Sequence, residues 1–167
     1  VDILVNNAGV GGQGLALEDI DEEIFDRMFA VHVKGALFAT QAVVAGMKQR
    51  GYGKIVNISS NFAMGGAAFA SHYAAAKSAL SGFTKSWARE LAPWKICVNA
   101  VAPGILETPM TLGSIGKERI HAMVDDIPLG RIAAPEEIAG MIVYLMSDEA
   151  AFVTGAEMVI DGGVTAR

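Results

Sequence analysis

Cysteine is nearly missing from this 167-residue sequence, where Cys97 stands alone. One thiol excludes an internal disulfide and cannot build a zinc site, so no metal is expected; it also fits a reducing, cytoplasmic location. Charge is scarce, at 19% of residues, and basic charge scarcer, with 13 Lys and Arg against 18 Asp and Glu. With a net charge of −5 and no basic run, a nucleic-acid partner is not expected. Long apolar runs are missing too: Gly35 to Met47 contains Thr40 and Gln41 and falls short of the ~20 residues that cross a bilayer, so no membrane partner is expected. The chain also lacks an initiator Met. It opens Val1-Asp2-Ile3-Leu4-Val5, as though inside a buried strand, and the expectation is the later part of a longer protein. Apolar residues are abundant at 52%, enough for a well-buried core in one domain.

The order of segments points to an α/β fold. Ile3 to Asn7 reads as a strand stopped by Ala8-Gly9, followed by a Gly-rich loop over Val10 to Leu17. Asp19 and Asp21 are N-cap candidates, and Ile24, Met28, Val31 and Phe38 recur at helical spacing in a segment that runs to about Arg50. Gly35 sits inside it, where glycine costs ~1 kcal/mol relative to Ala, so a close helix-helix approach is expected there. Lys54 to Ser60 reads as a second strand, Asn61 to Ser71 as a loop, and the Ala-rich Tyr73 to Leu91 as a helix ended by Pro93. Ile96 to Val101 is a third strand, closed by Pro103-Gly104. A short helix over Lys117 to Val124, a helix from Pro135 to about Met146 and a last strand from Glu157 to Ile160 complete the chain. Strands alternating with helices imply a parallel sheet covered on both faces, with ligands bound beyond the carboxyl ends of the strands, after Val5, Ile58 and Val101.

Tyr73-Ala74-Ala75-Ala76-Lys77, with Ser60 thirteen residues earlier at a strand end, carries the sharpest chemistry. The i, i+4 spacing puts the phenol and the ammonium on one helix face. A free Tyr with pKa ~10 must fall about 3 units, or ~4 kcal/mol, to exchange protons near neutrality. A cation ~4 Å away at an effective dielectric of ~20 supplies about that much, so Lys77 is expected to lower Tyr73. Ser60 offers a neutral hydroxyl to hold a carbonyl or alcohol oxygen beside the Tyr proton.

Asn6-Asn7-Ala8-Gly9, Asn57-Ile58-Ser59-Ser60, Tyr73 to Lys77, Asn99 and Pro103-Gly104-Ile105-Leu106-Glu107-Thr108 occur in the order seen in the short-chain dehydrogenase/reductase family, which the chain resembles to the closing Asp161-Gly162-Gly163. The resemblance implies a Rossmann-type doubly wound parallel sheet, of which residues 1–167 would be a partial domain, the carboxyl-terminal part with the first βαβαβ half absent. It implies NAD or NADP as cofactor, with hydride passing between the nicotinamide and the carbonyl carbon of a small-molecule alcohol or ketone while Tyr73 gives or takes the oxygen's proton. By resemblance Lys77 and Tyr73 also contact the nicotinamide ribose, Asn7, Ala8 and Gly9 line the cofactor, and Pro103, Gly104, the Leu106 backbone and Thr108 hold its carboxamide end. A homotetramer is the implied assembly.

Two positions depart from the family pattern. Where an Asn usually stands in the long helix, 41 residues before Tyr73, this chain has His32, read either as a working catalytic substitute or as a helix-packing histidine. The family's phosphate loop is expected upstream of Val1. Gly9-Val10-Gly11-Gly12-Gln13-Gly14 matches the G-x-G-x-x-G string, but no helix is expected before about Asp19, so it is read as a loop beside the active site. Phe62, Met64, Phe69, Met110, Leu112, Ile120 and Met123 are candidates for an apolar substrate wall, and His72, beside Tyr73, is read either as a substrate contact or, more often for a loop histidine, as solvated. The alternative to an NAD(P)-dependent oxidoreductase is a catalytically inert fragment that acts only as an assembly or interaction module, since an unpaired apolar sheet edge invites another chain.

Overall fold

The computed structural model describes residues 1–12, 14–109, 111 and 117–166. Among the described residues, short β-branched runs form four strands, β1 (Ile3–Asn6), β2 (Gly53–Ile58), β3 (Ile96–Pro103) and β4 (Glu157–Ile160), all parallel and ordered β1-β2-β3-β4. The register aligns Val5 with Val56, Val56 with Asn99 and Val101 with Met158. It brings Asn6, Ile58 and Pro103 to the same end of the sheet.

Helices cover both faces, because neighbouring side chains on a strand point to opposite sides. Ile55, Ile96 and Val98 pack with Met47, Ala88 and Leu91 of α2 (Gly35–Arg50) and α4 (Ser71–Leu91). Val56, Ile58 and Val101 pack instead with Ile138 and Leu145 of α6 (Pro135–Met146). Two shorter helices, α3 (Phe62–Gly65) and α5 (Lys117–Val124), lie in the connections after β2 and β3. Expected Asn61 to Ser71 loop residues thus include a helical turn, short enough that periodicity could not reveal it.

The first long helix is continuous but not uniform. It starts as α1 (Glu22–Phe29), capped by Asp21, whose Oδ1 accepts from the Ile24 amide at 2.8 Å. A π-helical turn, Ala30–Lys34, then joins it to α2. Such single turns insert one extra residue and re-aim the side chains that follow. His32 lies in this turn. Gly35 follows it, and within this chain no tight helix contact is made there: an added Cβ would meet nothing nearer than the Ala30 carbonyl at 3.7 Å.

The 29 residues Glu22–Arg50 are also long and apolar enough, by length and hydropathy, to cross a membrane. The expectation that no such segment exists rested on Gly35 to Met47 alone, whereas the helix continues through Phe25, Met28 and Val31. A helix laid on a sheet passes the same test, and here Met28, Ala36, Thr40 and Met47 face inward while Phe25 and Phe38 are exposed.

Beneath the carboxyl ends of the strands runs a ladder of amides and hydroxyls. The Asn6 side-chain amide donates to Asn57 Oδ1 at 2.8 Å and to Thr40 Oγ1 at 3.2 Å. Asn57 in turn donates to Thr84 Oγ1 at 2.8 Å, and Thr84 to the Leu80 carbonyl at 2.8 Å. The ladder ties α2, β1, β2 and α4 together with buried polar groups that are satisfied only in this arrangement. Asn99 does similar work on the other side, donating to the Val153 carbonyl at 2.8 Å and accepting from the Ala156 amide at 3.1 Å.

Candidate active site

Where β1, β2 and β3 end, their connections enclose a cavity of about 390 Å³. Asn7, Ala8 and Gly9 form one wall, Ser60, Tyr73 and Lys77 another, and Pro103, Gly104, Leu106 and Thr108 a third, with His32 at the side. Every residue singled out in the sequence for catalysis or cofactor binding lines this space. Gly104 is required by close approach: an added Cβ would lie 2.8 Å from the backbone Cα of Asp161.

Tyr73 and Lys77 project from the first turns of α4, with Nζ 5.6 Å from the centre of the phenol ring. The ammonium is buried and donates to the Ile58 carbonyl at 2.7 Å. Burial lowers Lys77 to about 8. Burial likewise raises Tyr73 above its ordinary value, offset in part by a hydrogen bond with Ser60. Helical spacing led to the expectation of a phenol lowered by Lys77; in the protein alone desolvation outweighs the other influences on Tyr73, and Nζ of Lys77 is engaged by the Ile58 carbonyl.

Ser60 is held by its own chain. Its Oγ accepts from the Phe62 amide at 3.2 Å, and its hydroxyl donates weakly to Asn61 Oδ1 at 3.5 Å. Below it, Ser59 Oγ contacts the Lys77 carbonyl at 3.3 Å and Ser81 Oγ at 3.1 Å, and Ser81 donates to Glu157 Oε1 at 2.6 Å. This chain pins the end of β2 against α4 and β4, and fixes the distance between Ser60 and the Tyr73 helix. No motif in the sequence marks Ser81 or Glu157, because their link spans 76 residues.

His32 is buried, and its ring meets Tyr73 edge-on at 5.6 Å between centroids. Nε2 sits 3.1 Å from the Val10 nitrogen and 3.0 Å from the Val10 oxygen, so one tautomer accepts from Val10 and the other donates to it. Burial and the Lys77 charge, opposed by the Val10 bond, lower His32 to about 4. The imidazole is therefore neutral near pH 7. Gly9 makes room for it, since an added Cβ would stand 2.6 Å from His32 Cε1.

The Gly-rich segment behaves as expected of a loop: the next α-helix starts only at Glu22, so no helix N-terminus meets its glycines. It is tied instead to the segment before α4, where the Phe69 carbonyl accepts from the Gly14 and Leu15 amides at 2.8 and 3.0 Å. Phe69 itself is not among the described residues that line the active-site cavity. His72 overturns its reading as a solvated residue, being buried in the first turn of α4 with neither ring nitrogen hydrogen-bonded. Ile120 is buried and Met123 half-buried, neither against the cavity. Met110 and Leu112 lie outside the described residues.

Residues 1–165 match the family described as enoyl-(acyl carrier protein) reductase. The 3-oxoacyl-(acyl-carrier-protein) reductase of Thermotoga maritima is 46% identical over 164 residues, 98% of this chain and 66% of that protein. The chain thus spans about two thirds of the length of such curated relatives. A solved structure of a short chain dehydrogenase/reductase family protein superposes with a TM-score of 0.93 at 42% identity, covering 100% of this chain and 68% of that one. A putative 2-deoxy-D-gluconate 3-dehydrogenase from Agrobacterium tumefaciens, solved with bound NADP, superposes at 0.92 with 38% identity, covering 99% and 68%. The sequence motifs, the parallel sheet and these likenesses agree, and the chain belongs to the short-chain dehydrogenase/reductase family.

Proposed function

We propose that this cavity interconverts a secondary alcohol and a ketone with NAD or NADP. The observation that carries the reading is the convergence of Ser60, Tyr73 and Lys77 on one wall of a cavity that Asn7, Ala8, Gly9, Pro103 and Gly104 also line. Those walls fit the nicotinamide end of the cofactor: Gly9 and Gly104 leave space that a Cβ would fill, and Lys77 supplies a buried cation. Asn7, Ala8 and Gly9 would hold it on one side, Pro103, Gly104, Leu106 and Thr108 on the other, with Lys77 and Tyr73 on its ribose. When bound, it supplies a hydride acceptor or donor.

The chain's own residues manage the oxygen and its proton. Ser60, its lone pair engaged by the Phe62 amide, donates to the substrate oxygen and orients it toward Tyr73. Tyr73 accepts the hydroxyl proton during alcohol oxidation and returns it during ketone reduction. Lys77 places positive charge beside the phenol and stabilises its ionised form. His32 spends Nε2 on Val10 and so positions the loop that borders the site. His32→Asn, whose amide can serve both Val10 groups, should keep turnover within about tenfold; a larger loss assigns the imidazole a task of its own.

The pH dependence follows from burial. A phenol held above its ordinary value is protonated near neutrality, which suits reduction and limits oxidation. Initial rates of alcohol oxidation in the enzyme carrying this chain should therefore climb between about pH 7 and about pH 10, while ketone reduction holds over the same interval. Oxidation that is flat or falling over that interval contradicts the assignment of Tyr73 as proton acceptor.

A further inference from the structure

Two hydroxyls on α4 turn back on their own helix. Ser78 Oγ reaches the Ala74 carbonyl at 2.9 Å, and Thr84 donates to the Leu80 carbonyl at 2.8 Å, each four residues back. Ser81 has the same choice, because the carbonyl four residues behind it belongs to Lys77. Its proton goes instead to Oε1 of Glu157, at 2.6 Å, the first residue of β4. We infer that Glu157, by holding that proton, is a positioning residue for Tyr73 and Lys77: it reserves the Lys77 carbonyl for Ser59 and so keeps the catalytic turns of α4 docked on the end of β2. This rests on the oxidoreductase reading above and deepens it.

The direction of the relay follows from its protons. A carboxylate oxygen accepts, so Ser81 gives its one proton to Glu157 and offers its oxygen to Ser59. Ser59 is therefore the donor across the 3.1 Å contact with Ser81, and its proton is shared with the Lys77 carbonyl at 3.3 Å. Lys77 is thus tied to the end of β2 twice, by its carbonyl through Ser59 and by its ammonium, which donates to the Ile58 carbonyl at 2.7 Å. Both ends of the relay rest on β3. The Ser59 amide donates to the Val101 carbonyl at 2.8 Å, and Glu157 is in register with Ala100.

Without an acceptor at position 157, the Ser81 proton is free to take the Lys77 carbonyl, as Thr84 takes that of Leu80. Ser59 then loses its hold, and a hydroxyl bonded to its own helix four residues back also bends that helix. The turns carrying Tyr73 and Lys77 shift against Ser60, where a displacement of about 1 Å costs up to ~10²-fold in rate. The influence runs through geometry, because burial is what lowers Lys77.

The test is kcat for the oxidation of isopropanol by the enzyme carrying this chain. Glu157→Met keeps the side chain's length and removes both oxygens, and kcat should fall about tenfold. Glu157→Gln, whose amide oxygen still accepts from Ser81, should restore kcat to within about threefold of the unaltered enzyme. Adding Ser81→Ala to Glu157→Met removes the hydroxyl that competes with Ser59, so kcat should rise about threefold or more over Glu157→Met alone. A residue that merely holds the fold makes the second substitution neutral or worse. Glu157→Ala takes the place of Glu157→Met if the latter does not fold. A Glu157→Met enzyme within about twofold of the unaltered one, a Glu157→Gln enzyme as slow as Glu157→Met, or a double variant no faster than Glu157→Met overturns the proposal. If the unaltered enzyme oxidises no isopropanol, the oxidoreductase reading fails separately, and the crystal structure of Glu157→Met decides the positioning. Ser81 Oγ turned onto the Lys77 carbonyl with Ser59 Oγ displaced from it supports the proposal, and Ser59 still bonded to that carbonyl overturns it.

Discussion

Tyr73→Phe is expected to lower turnover by about 10²–10⁴-fold while leaving cofactor affinity nearly unchanged. The substitution removes one oxygen and keeps the ring. That ring is what His32 and Phe62 touch edge-on, at 5.6 and 6.3 Å, so the packing around it survives. What is lost is the hydrogen-bond partner of Ser60 and, on the function proposed above, the proton carrier. Loss of kcat with unchanged cofactor binding, read by titrating the fluorescence of the reduced nicotinamide, fits a group that acts on the substrate oxygen. Turnover within a few-fold of the unaltered enzyme would remove Tyr73 from the chemistry.

Lys77→Met should be comparably damaging but with a different signature. Turnover is expected to fall about 10²-fold or more and cofactor affinity to fall with it, because the ammonium is read both as the phenol's electrostatic partner and as a ribose ligand. The protein should still fold. Losing the bond from Nζ to the Ile58 carbonyl leaves that oxygen short of a partner, at about 1–3 kcal/mol, but the variant also avoids burying a charge. The pH dependence of unfolding separates the two terms. Burial lowers Lys77 from 10.5 to about 8, so above about 8 the folded state binds fewer protons than the unfolded state. Stability contributed by this group therefore rises with pH from about 8 toward 10.5. Denaturant titrations should show that rise in the unaltered protein and not in Lys77→Met; an identical rise in both would place the titration elsewhere.

Much of this site could be read from the sequence because its parts are local. Tyr73 and Lys77 share a helix face by spacing alone, and a β-branched run ending in Ser59-Ser60 announces a strand end. Parallel α/β topology then delivers Asn7, Ser60 and Pro103 to one edge without any knowledge of side-chain packing. Spacing could not supply the electrostatics. The direction of the Tyr73 shift is set by burial, which depends on what packs around the ring, and Nζ of Lys77 reaches back to Ile58 across 19 residues. The π-turn carrying His32 was equally hidden, since Ala30 to Lys34 reads as ordinary helix. So were the burial of His72 under the Gly-rich loop and the polar chain from Ser59 through Ser81 to Glu157. Each depends on segments that meet only after the sheet has formed.

The central claim is that Ser60, Tyr73 and Lys77 serve a hydride transfer at a secondary alcohol carbon. Its most direct measurement uses a secondary alcohol deuterated at that carbon, with the enzyme carrying this chain and either oxidised cofactor, followed by mass spectrometry of the nicotinamide product. Deuterium is expected on the reduced nicotinamide ring in the unaltered enzyme, and none above background in Tyr73→Phe over the same interval. Deuterium found in water, or equal transfer in both proteins, would contradict it.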